Sequence, residues 1–205
     1  MKTFLSYFVF QTNLHIYTTM TEVKGSIHVK VGCMFAGKST YLIQMYRKYS
    51  RKYPTLIIKY INDKRYSDSG IATHDHTIHE ENVIESTKDI GLVYPLTKEY
   101  NVVCIEEGQF YTGLVDFCDK LANEGKLVIV IGLDGDANRN GFGEIPLLLP
   151  KSEKFKKIHA VCNVKECHNE ASFTKLLEGE LTPGQTEKIG GAETYVAVCR
   201  THYYS

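Results

Sequence analysis

Tryptophan is absent from this 205-residue chain, and so is any excess of charge, because 24 Lys and Arg residues balance 24 Asp and Glu residues. Nucleic-acid-binding domains usually carry a basic patch or stripe, so the balanced charge gives no electrostatic reason to expect a nucleic-acid partner. Long apolar runs are missing as well, and no segment has the length that a bilayer-spanning helix requires. We therefore expect neither nucleic acid nor a membrane among the partners of this protein.

A short apolar run, residues 4–10, follows Lys2 and resembles the core of a signal peptide. No small-residue cleavage site comes after it, and the run is too short to cross a bilayer. We expect residues 1–24 to be a disordered tail, or translation to start at Met20.

Cysteine usage favours a reducing compartment. Cys162, Cys167 and Cys199 gather in the last quarter of the chain, whereas Cys104 and Cys118 lie in apolar runs. This distribution fits a metal site better than a disulfide framework. The composition, 43% hydrophobic and 23% charged, is that of a soluble globule, and we expect a cytoplasmic location.

A glycine-rich stretch with the pattern G-x-x-x-x-G-K-[ST] organises the first half of the chain. Its residues are Gly32, Cys33, Met34, Phe35, Ala36, Gly37, Lys38 and Ser39. In a phosphate-binding loop of this kind, successive backbone N–H groups point inward and cradle phosphate oxygens. Lys38 would reach the β- and γ-phosphates, and Ser39 would hold a magnesium ion.

The flanks of this stretch have the structure that a P-loop requires. Residues 27–31 alternate between apolar and polar, as a strand does, and apolar residues after the loop recur at helical spacing. A helix that begins at the loop contributes an N-terminus that favours anions. Strand, loop and helix together predict a nucleotide-binding P-loop.

Apolar runs predict three further strands, at residues 55–61, 101–105 and 126–131. Apolar residues from Leu114 to Leu121 recur at helical spacing between the last two strands. Alternating strands and helices predict an α/β fold, with a parallel sheet and helices on both of its faces.

Charged residues follow the carboxyl ends of the predicted strands. They are Asp63, Arg65, Glu106, Glu107 and Asp134. Ligands of open α/β sheets bind at this edge, so these residues can converge on one site. Glu106 is the candidate magnesium ligand, and Asp63 either binds magnesium or positions Arg65, which can stabilise charge on a phosphoryl group. Glu107 can accept a proton from an attacking hydroxyl, or from water in an ATPase.

Soft metal ligands come in two pairs near the C-terminus. The four candidates are Cys162, Cys167, Cys199 and His202. Two pairs separated by a longer loop predict a structural zinc ribbon, in which His168 can compete with Cys167 as a ligand. We expect residues 25–158 to bind nucleotide, and residues 159–205 to bind zinc and cover the nucleoside.

A second group of possible ligands lies in the polar stretch 62–81. It contains His74, Asp75, His76 and His79. A metal site is one interpretation. A solvated surface loop is the interpretation that we favour, because the stretch has no regular periodicity.

In order and spacing, these motifs resemble those of type II thymidine kinases, which occur in animals, many bacteria and large DNA viruses. The resemblance runs from about residue 25 to residue 203. The matching strings are residues 32–40, 62–66, 73–75, 106–110, 133–135, 171–175 and 189–192, with Tyr195. The chain departs from the family pattern at Glu106, where Asp is usual, at the wider spacing of its first cysteine pair, and at Ala137, where an aromatic residue is frequent.

The resemblance implies transfer of the γ-phosphate of ATP, bound with Mg²⁺, to the 5′-hydroxyl of thymidine and of deoxyuridine. It matches Glu107 to the general base, Arg65 to a phosphate-binding residue, and Thr40 to the end of the P-loop string. The residues that it matches to the nucleoside pocket are Met34, Phe110, Leu133, Thr174, Gly190, Gly191 and Tyr195. It also implies a homotetramer that thymidine triphosphate inhibits.

Two other functions remain open on the residues alone. A P-loop ATPase or GTPase with a zinc appendage would hydrolyse nucleotide without a nucleoside acceptor, although no guanine-reading N-K-x-D string is present. A non-enzymatic zinc module would bind nucleic acid or protein, and the neutral net charge weighs against it.

Overall fold

The structure is a computed structural model that describes residues 24–62, 71–72, 78–177 and 191–205. Several predictions concern residues outside these ranges. They are the N-terminal tail, Asp63, Arg65, the group His74, Asp75 and His76, and Gly190 with the string that begins at residue 189.

Twelve strands and three α-helices lie in the described ranges. The strands are β1 (Ser26–Gly32), β2 (Thr55–Tyr60), β3 (Ile71–Ala72), β4 (Ile78–His79), β5 (Val83–Ser86), β6 (Val102–Ile105), β7 (Leu127–Gly132), β8 (Lys154–Ile158), β9 (Ala160–Val161), β10 (Glu170–Ala171), β11 (Phe173–Leu176) and β12 (Tyr195–Val198). The α-helices are α1 (Lys38–Tyr49), α2 (Leu114–Asn123) and α3 (Arg200–Tyr204), and 3-10 helices span Ile90–Thr97, Gly108–Phe110 and Ile145–Lys151. Among these helices, none has both the length and the apolar character needed to cross a membrane.

Six strands form one sheet in the order β5-β2-β6-β7-β1-β8. Every neighbouring pair in it is parallel. The two middle strands, β6 and β7, are apolar along their length because both faces of the sheet are covered, and all six residues of β7 are buried. The predicted parallel sheet is confirmed, and the four strands predicted from the sequence are β1, β2, β6 and β7.

Helices cover both faces of this sheet, as the sequence predicts. On one face, Leu42 and Tyr46 of α1 pack against apolar residues that include Ile129 of β7. On the other face, α2 and two of the 3-10 helices pack against the sheet, with Leu121 of α2 among the residues of a larger core that contains Val130. Alternate residues of β7 therefore enter opposite cores, as the pleat of a strand requires.

One lysine closes the edge of the sheet at which β6 and β7 begin. Lys126 Nζ donates hydrogen bonds to the carbonyl oxygens of Thr97, Lys98 and Tyr100, over 3.1, 3.2 and 2.7 Å. These carbonyls end the 3-10 helix that begins at Ile90 and enter the turn before β6. The ammonium group thus fastens that helix to the start of β7.

The C-terminal unit begins after β8 and contains two small antiparallel pairs, β9–β10 and β11–β12. Its small core contains Ala171, Ala197 and Val198, together with Cys33 from the P-loop. The unit therefore packs directly against the phosphate-binding loop rather than standing apart from the sheet.

Candidate active site

The P-loop connects β1 to α1 through two left-handed residues. Gly37 has a φ of 78° and Phe35 has a φ of 64°. A left-handed backbone is sterically unfavourable for most residues with a side chain, so glycine suits position 37. Gly32 is required for another reason, because a Cβ there would lie 2.4 Å from the carbonyl oxygen of Ile158. Both glycines of the motif are therefore needed for the path of the loop.

The lysine of the motif lies inside the loop. Lys38 is only 9% exposed, and its Nζ donates a hydrogen bond to the carbonyl oxygen of Cys33 over 2.8 Å. This contact keeps a positive charge at the loop, where a P-loop lysine binds β- and γ-phosphates.

Ser39 and Glu106 meet although 67 positions separate them in the chain. Ser39 Oγ, in the first turn of α1, donates a hydrogen bond over 3.0 Å to Glu106 Oε1, just after β6. Magnesium prefers oxygen ligands such as hydroxyls and carboxylates, and P-loop enzymes hold it with this pair of residue types. Ser39 and Glu106 thus fit a magnesium ion, which would neutralise the charge of the phosphates.

Glu107 is the next residue, and its backbone is left-handed, with φ 48° and ψ 46°. Its Oε2 accepts a hydrogen bond from Gln109 Nε2 over 2.5 Å. Gln109 Oε1 in turn accepts the backbone N–H of Leu133, which follows β7, over 2.9 Å. Sequence reasoning did not single out Gln109, although a polar residue so soon after an apolar strand and two acids is a signal for it.

Aromatic rings surround Phe110, one of the residues matched to the nucleoside pocket. Tyr60, at the end of β2, lies 5.0 Å from it between ring centroids. Phe142 lies 5.6 Å away and nearly perpendicular, at 85°, and is itself buried. The sequence did not predict a role for Phe142, since it lies in a glycine-containing loop without periodicity. Ala137, in the same loop, accepts a hydrogen bond from the hydroxyl of Tyr203 through its carbonyl oxygen.

The C-terminal unit contributes Thr174, whose Oγ1 accepts a hydrogen bond from the Met34 backbone N–H over 3.0 Å. A polar cavity of about 100 Å³ lies beside this contact, and Cys33, Asp134 and Lys157 also line it. Lys157 Nζ and Asp134 Oδ2 form an ion pair there, 2.5 Å apart. The P-loop, the end of β7 and β11 therefore meet at this point.

Tyr195, the first residue of β12, and Gly191, just before that strand, are two further residues matched to the nucleoside. Tyr195 is opposite Leu176 in the β11–β12 ladder, and its backbone N–H donates to the carbonyl oxygen of Gly191 over 3.0 Å. Both Tyr195 and Gly191 are buried. They lie in the C-terminal unit with Thr174, at the end of the β11–β12 ladder nearest to residues 178–190, which the structure does not describe.

The four predicted zinc ligands form a cluster. The ligand atoms of Cys162, Cys167, Cys199 and His202 all lie within 4.8 Å of one another. His202 Nδ1 is 3.4 Å from Cys162 Sγ and 3.3 Å from Cys199 Sγ. Three cysteines and one histidine are a donor set typical of structural zinc. The cluster contains Cys167 and not His168, so the geometry favours Cys167 in the alternative left open by the sequence.

The chemistry of Cys162 also suits a metal ligand. Burial disfavours its thiolate, but hydrogen bonds with the backbone of Cys199 and Val164 and with the side chains of His202 and Cys167 together outweigh burial and lower its pKa to about 6. Metals bind the thiolate form of cysteine. The other group of possible ligands, in the stretch 62–81, gives no comparable cluster among its described residues. There, the ring of His79 packs 4.3 Å from the ring of Tyr46.

Comparison with known proteins identifies the family. The family model for thymidine kinase matches residues 25–203. The chain belongs to the thymidine kinase family. This membership agrees with the resemblance seen in the motifs, and it decides against a bare ATPase or GTPase and against a non-enzymatic zinc module.

Individual thymidine kinases are similar over nearly the same range. A Gallus gallus protein named "Thymidine kinase, cytosolic" is 42% identical over 182 residues, which are 88% of this chain and 78% of that protein. The thymidine kinase of Vaccinia virus (strain Tian Tan) is 44% identical over 180 residues, 87% of this chain and 97% of its own. That of Myxoma virus (strain Lausanne) is 40% identical over 186 residues, 90% of this chain and 99% of its own.

Proposed function

We propose that this thymidine kinase transfers the γ-phosphate of ATP to the 5′-hydroxyl of thymidine, giving thymidine monophosphate, with Glu107 as the general base. One observation carries the proposal: a P-loop serine and the acid that precedes Glu107 are hydrogen-bonded in a member of this family. Phosphoryl transfer needs these groups together, because positioning and charge stabilisation supply most of its catalysis.

Each group has one task in the transfer. Backbone N–H groups of the P-loop and Lys38 bind the phosphates, while Ser39 and Glu106 hold magnesium. The 5′-oxygen of the nucleoside forms a bond to the γ-phosphorus as the bond to the ADP oxygen breaks. The hydroxyl proton passes to the Glu107 carboxylate. Arg65 stabilises the charge that spreads over the transferring group.

The nucleoside is proposed to lie between the two units of the chain, with residues 25–158 binding ATP and residues 159–205 covering the base. Its pocket would be lined by Met34, Phe110, Leu133, Thr174, Gly190, Gly191 and Tyr195. The contact from Met34 to Thr174 supports this arrangement, since it joins the P-loop to β11. Deoxyuridine, which differs from thymidine by one methyl group, is a second substrate.

Zinc is proposed at Cys162, Cys167, Cys199 and His202, where it would stabilise the small C-terminal unit. A unit with so few core residues gains folding free energy from a bound metal. Its role is structural because four protein ligands complete a tetrahedral site.

We further propose a cytoplasmic homotetramer that thymidine triphosphate inhibits, as the family resemblance implies. The name of the chicken relative supports the location. Exposed leucines on two 3-10 helices support association between copies. They are Leu92, Leu96, Leu147 and Leu149, with exposed fractions of 68%, 56%, 60% and 58%. Light scattering on the purified protein would report the assembly, and a monomer at micromolar concentration would contradict it.

Transfer of labelled γ-phosphate from ATP–Mg tests the reaction, with thymidine, deoxyuridine, deoxycytidine or no acceptor in parallel. Label should appear on thymidine and deoxyuridine but not on deoxycytidine. Glu107→Gln should lower kcat by about a hundredfold or more and leave ATP binding unchanged. Equal release of phosphate to water in all four samples would overturn the kinase, and full activity of Glu107→Gln would overturn only the base.

A further inference from the structure

We propose that Gln109 is a positioning residue that holds the carboxylate of Glu107 for proton transfer. The inference rests on the proposed function, because it requires Glu107 to be the base. Its geometric basis is a pair of hydrogen bonds made by the side-chain amide of Gln109. The amide oxygen accepts from the Leu133 backbone N–H over 2.9 Å, and the amide nitrogen donates to the Glu107 carboxylate over 2.5 Å.

The amide can point only one way. The backbone N–H of Leu133 is a donor and cannot accept, so the amide oxygen must face it. The amide nitrogen then faces Glu107, which suits a carboxylate, an acceptor in its ionised form. Both ends of Gln109 are satisfied by partners of opposite type, and this fixes the orientation of the side chain.

Packing fixes the position of Gln109 as well. The residue is only 3% exposed, and two glycines make room for it. A Cβ at Gly132 would lie 2.6 Å from Gln109 Oε1, and a Cβ at Gly143 would lie 2.2 Å from the Gln109 carbonyl oxygen. An amide enclosed on these sides has little freedom, so it can transmit a fixed position to its partner.

Glu107 needs such a support because of its backbone. A left-handed, non-glycine residue two positions after β6 directs its side chain away from the path of the strand. A flexible carboxylate would spend little time in line with a hydroxyl, and orientation of reacting groups is worth large rate factors. Gln109 ties the carboxylate to Leu133 at the end of β7, the neighbouring strand, and Leu133 itself is proposed to touch the nucleoside.

The test is a double-mutant cycle on phosphorylation of thymidine by the full chain. Gln109→Met has nearly the same length and neither hydrogen bond. It should lower kcat by about ten- to a hundredfold, with KM for ATP and for thymidine within about threefold of the parent. In a Glu107→Gln background, the same change should lower the residual single-turnover rate by less than about twofold, since there is no base left to position.

Thr97→Val is the matched control, because Thr97 is equally buried but lies near the opposite edge of the sheet, where β6 begins. It should leave kcat unchanged. If Gln109→Met does not fold, Gln109→Glu replaces it. This variant can still accept the Leu133 N–H, but its ionised form cannot donate to Glu107, and it should lose kcat in the same way.

Equal losses from Gln109→Met in both backgrounds would overturn the inference, as would a rise in KM with kcat unchanged. Normal kcat in Gln109→Met, together with an inactive Glu107→Gln, would remove the positioning role and leave the base in place. Normal kcat in Glu107→Gln would remove both roles, and the two failures are therefore distinguishable.

Discussion

The backbone N–H of Met34 in the P-loop donates a hydrogen bond to Thr174 Oγ1 of β11 over 3.0 Å. One residue earlier, Cys33 Sγ donates to the carbonyl oxygen of Ala171 over 3.2 Å. Burial raises the pKa of the Cys33 thiol, so it stays protonated and can act as this donor. The C-terminal unit therefore holds the loop that binds phosphate.

Replacing Thr174 tests this connection. Thr174→Val keeps the shape of the side chain but leaves the buried Met34 N–H without its acceptor, which costs about 1–3 kcal/mol. We expect KM for ATP to rise about tenfold, a change worth about 1.4 kcal/mol. Steady-state kinetics with varied ATP would measure it. Thr174→Ser retains the hydroxyl and should stay within about twofold, and an equal effect of both variants would contradict the proposed contact.

Glu106 is predicted to set the magnesium requirement. Glu106→Gln keeps the size of the side chain but removes the charge, so the magnesium concentration for half-maximal activity should rise about tenfold or more. Glu106→Asp keeps the charge and places the residue that is usual in the family. It should shift this concentration by less than about threefold. An unchanged magnesium dependence in Glu106→Gln would exclude a role in metal binding.

Zinc content should depend on the Cys/His cluster alone. The purified chain should contain one zinc ion, and Cys199→Ser should lose it and lower Tm by more than about 5 °C, because metal binding adds to folding free energy. Elemental analysis and thermal unfolding measure the two effects. Cys104→Ala is the control, since burial raises the pKa of Cys104 to about 12 and keeps it from acting as a thiolate ligand. A parent protein without zinc would refute the site.

Lys126 should matter for stability and not for catalysis. Lys126→Met removes three hydrogen bonds to the carbonyls that end the first long 3-10 helix, and should lower the free energy of unfolding by about 1.5–3 kcal/mol. The residue lies at the edge of the sheet remote from the P-loop, so kcat should not change. Urea unfolding measures the loss. Lys98→Met, at an exposed side chain, should stay within about 0.5 kcal/mol, and an equal loss there would contradict the assignment.

The central strands could be predicted because β2, β6 and β7 are mostly apolar and β1 leads into a distinctive P-loop. The two outer strands could not. β5 and β8 lie at the edges, where one side of a strand meets solvent, and β8 reads Lys-Phe-Lys-Lys-Ile. A pattern with so few apolar residues carries no strand signal, and only pairing with β1 makes it a strand. The 3-10 helices Ile90–Thr97 and Ile145–Lys151 were not predicted either, because each contains proline, which is not a signal for a helix interior.

The residues of the candidate site also divide into those that were predicted from the sequence and those that were not. Ser39 could be predicted because it lies in the P-loop pattern, and Glu106 because it directly follows an apolar strand. Gln109 and Phe142 were not predicted, and their contacts with Leu133 and Phe110 became visible only in the fold. The choice of Cys167 over His168 also required three-dimensional proximity to the other ligands.

The lysines of β8 also oppose aggregation through the edge of the sheet. As the outermost strand beside β1, β8 could accept a strand from another molecule and extend the sheet without limit. Lys154 and Lys156 place two positive charges along its five residues, while Lys157 is paired with Asp134, so two copies that met edge to edge would repel each other. At the other edge, β5 has only four residues and offers a short template. Both edges are thus protected against fibrous aggregation.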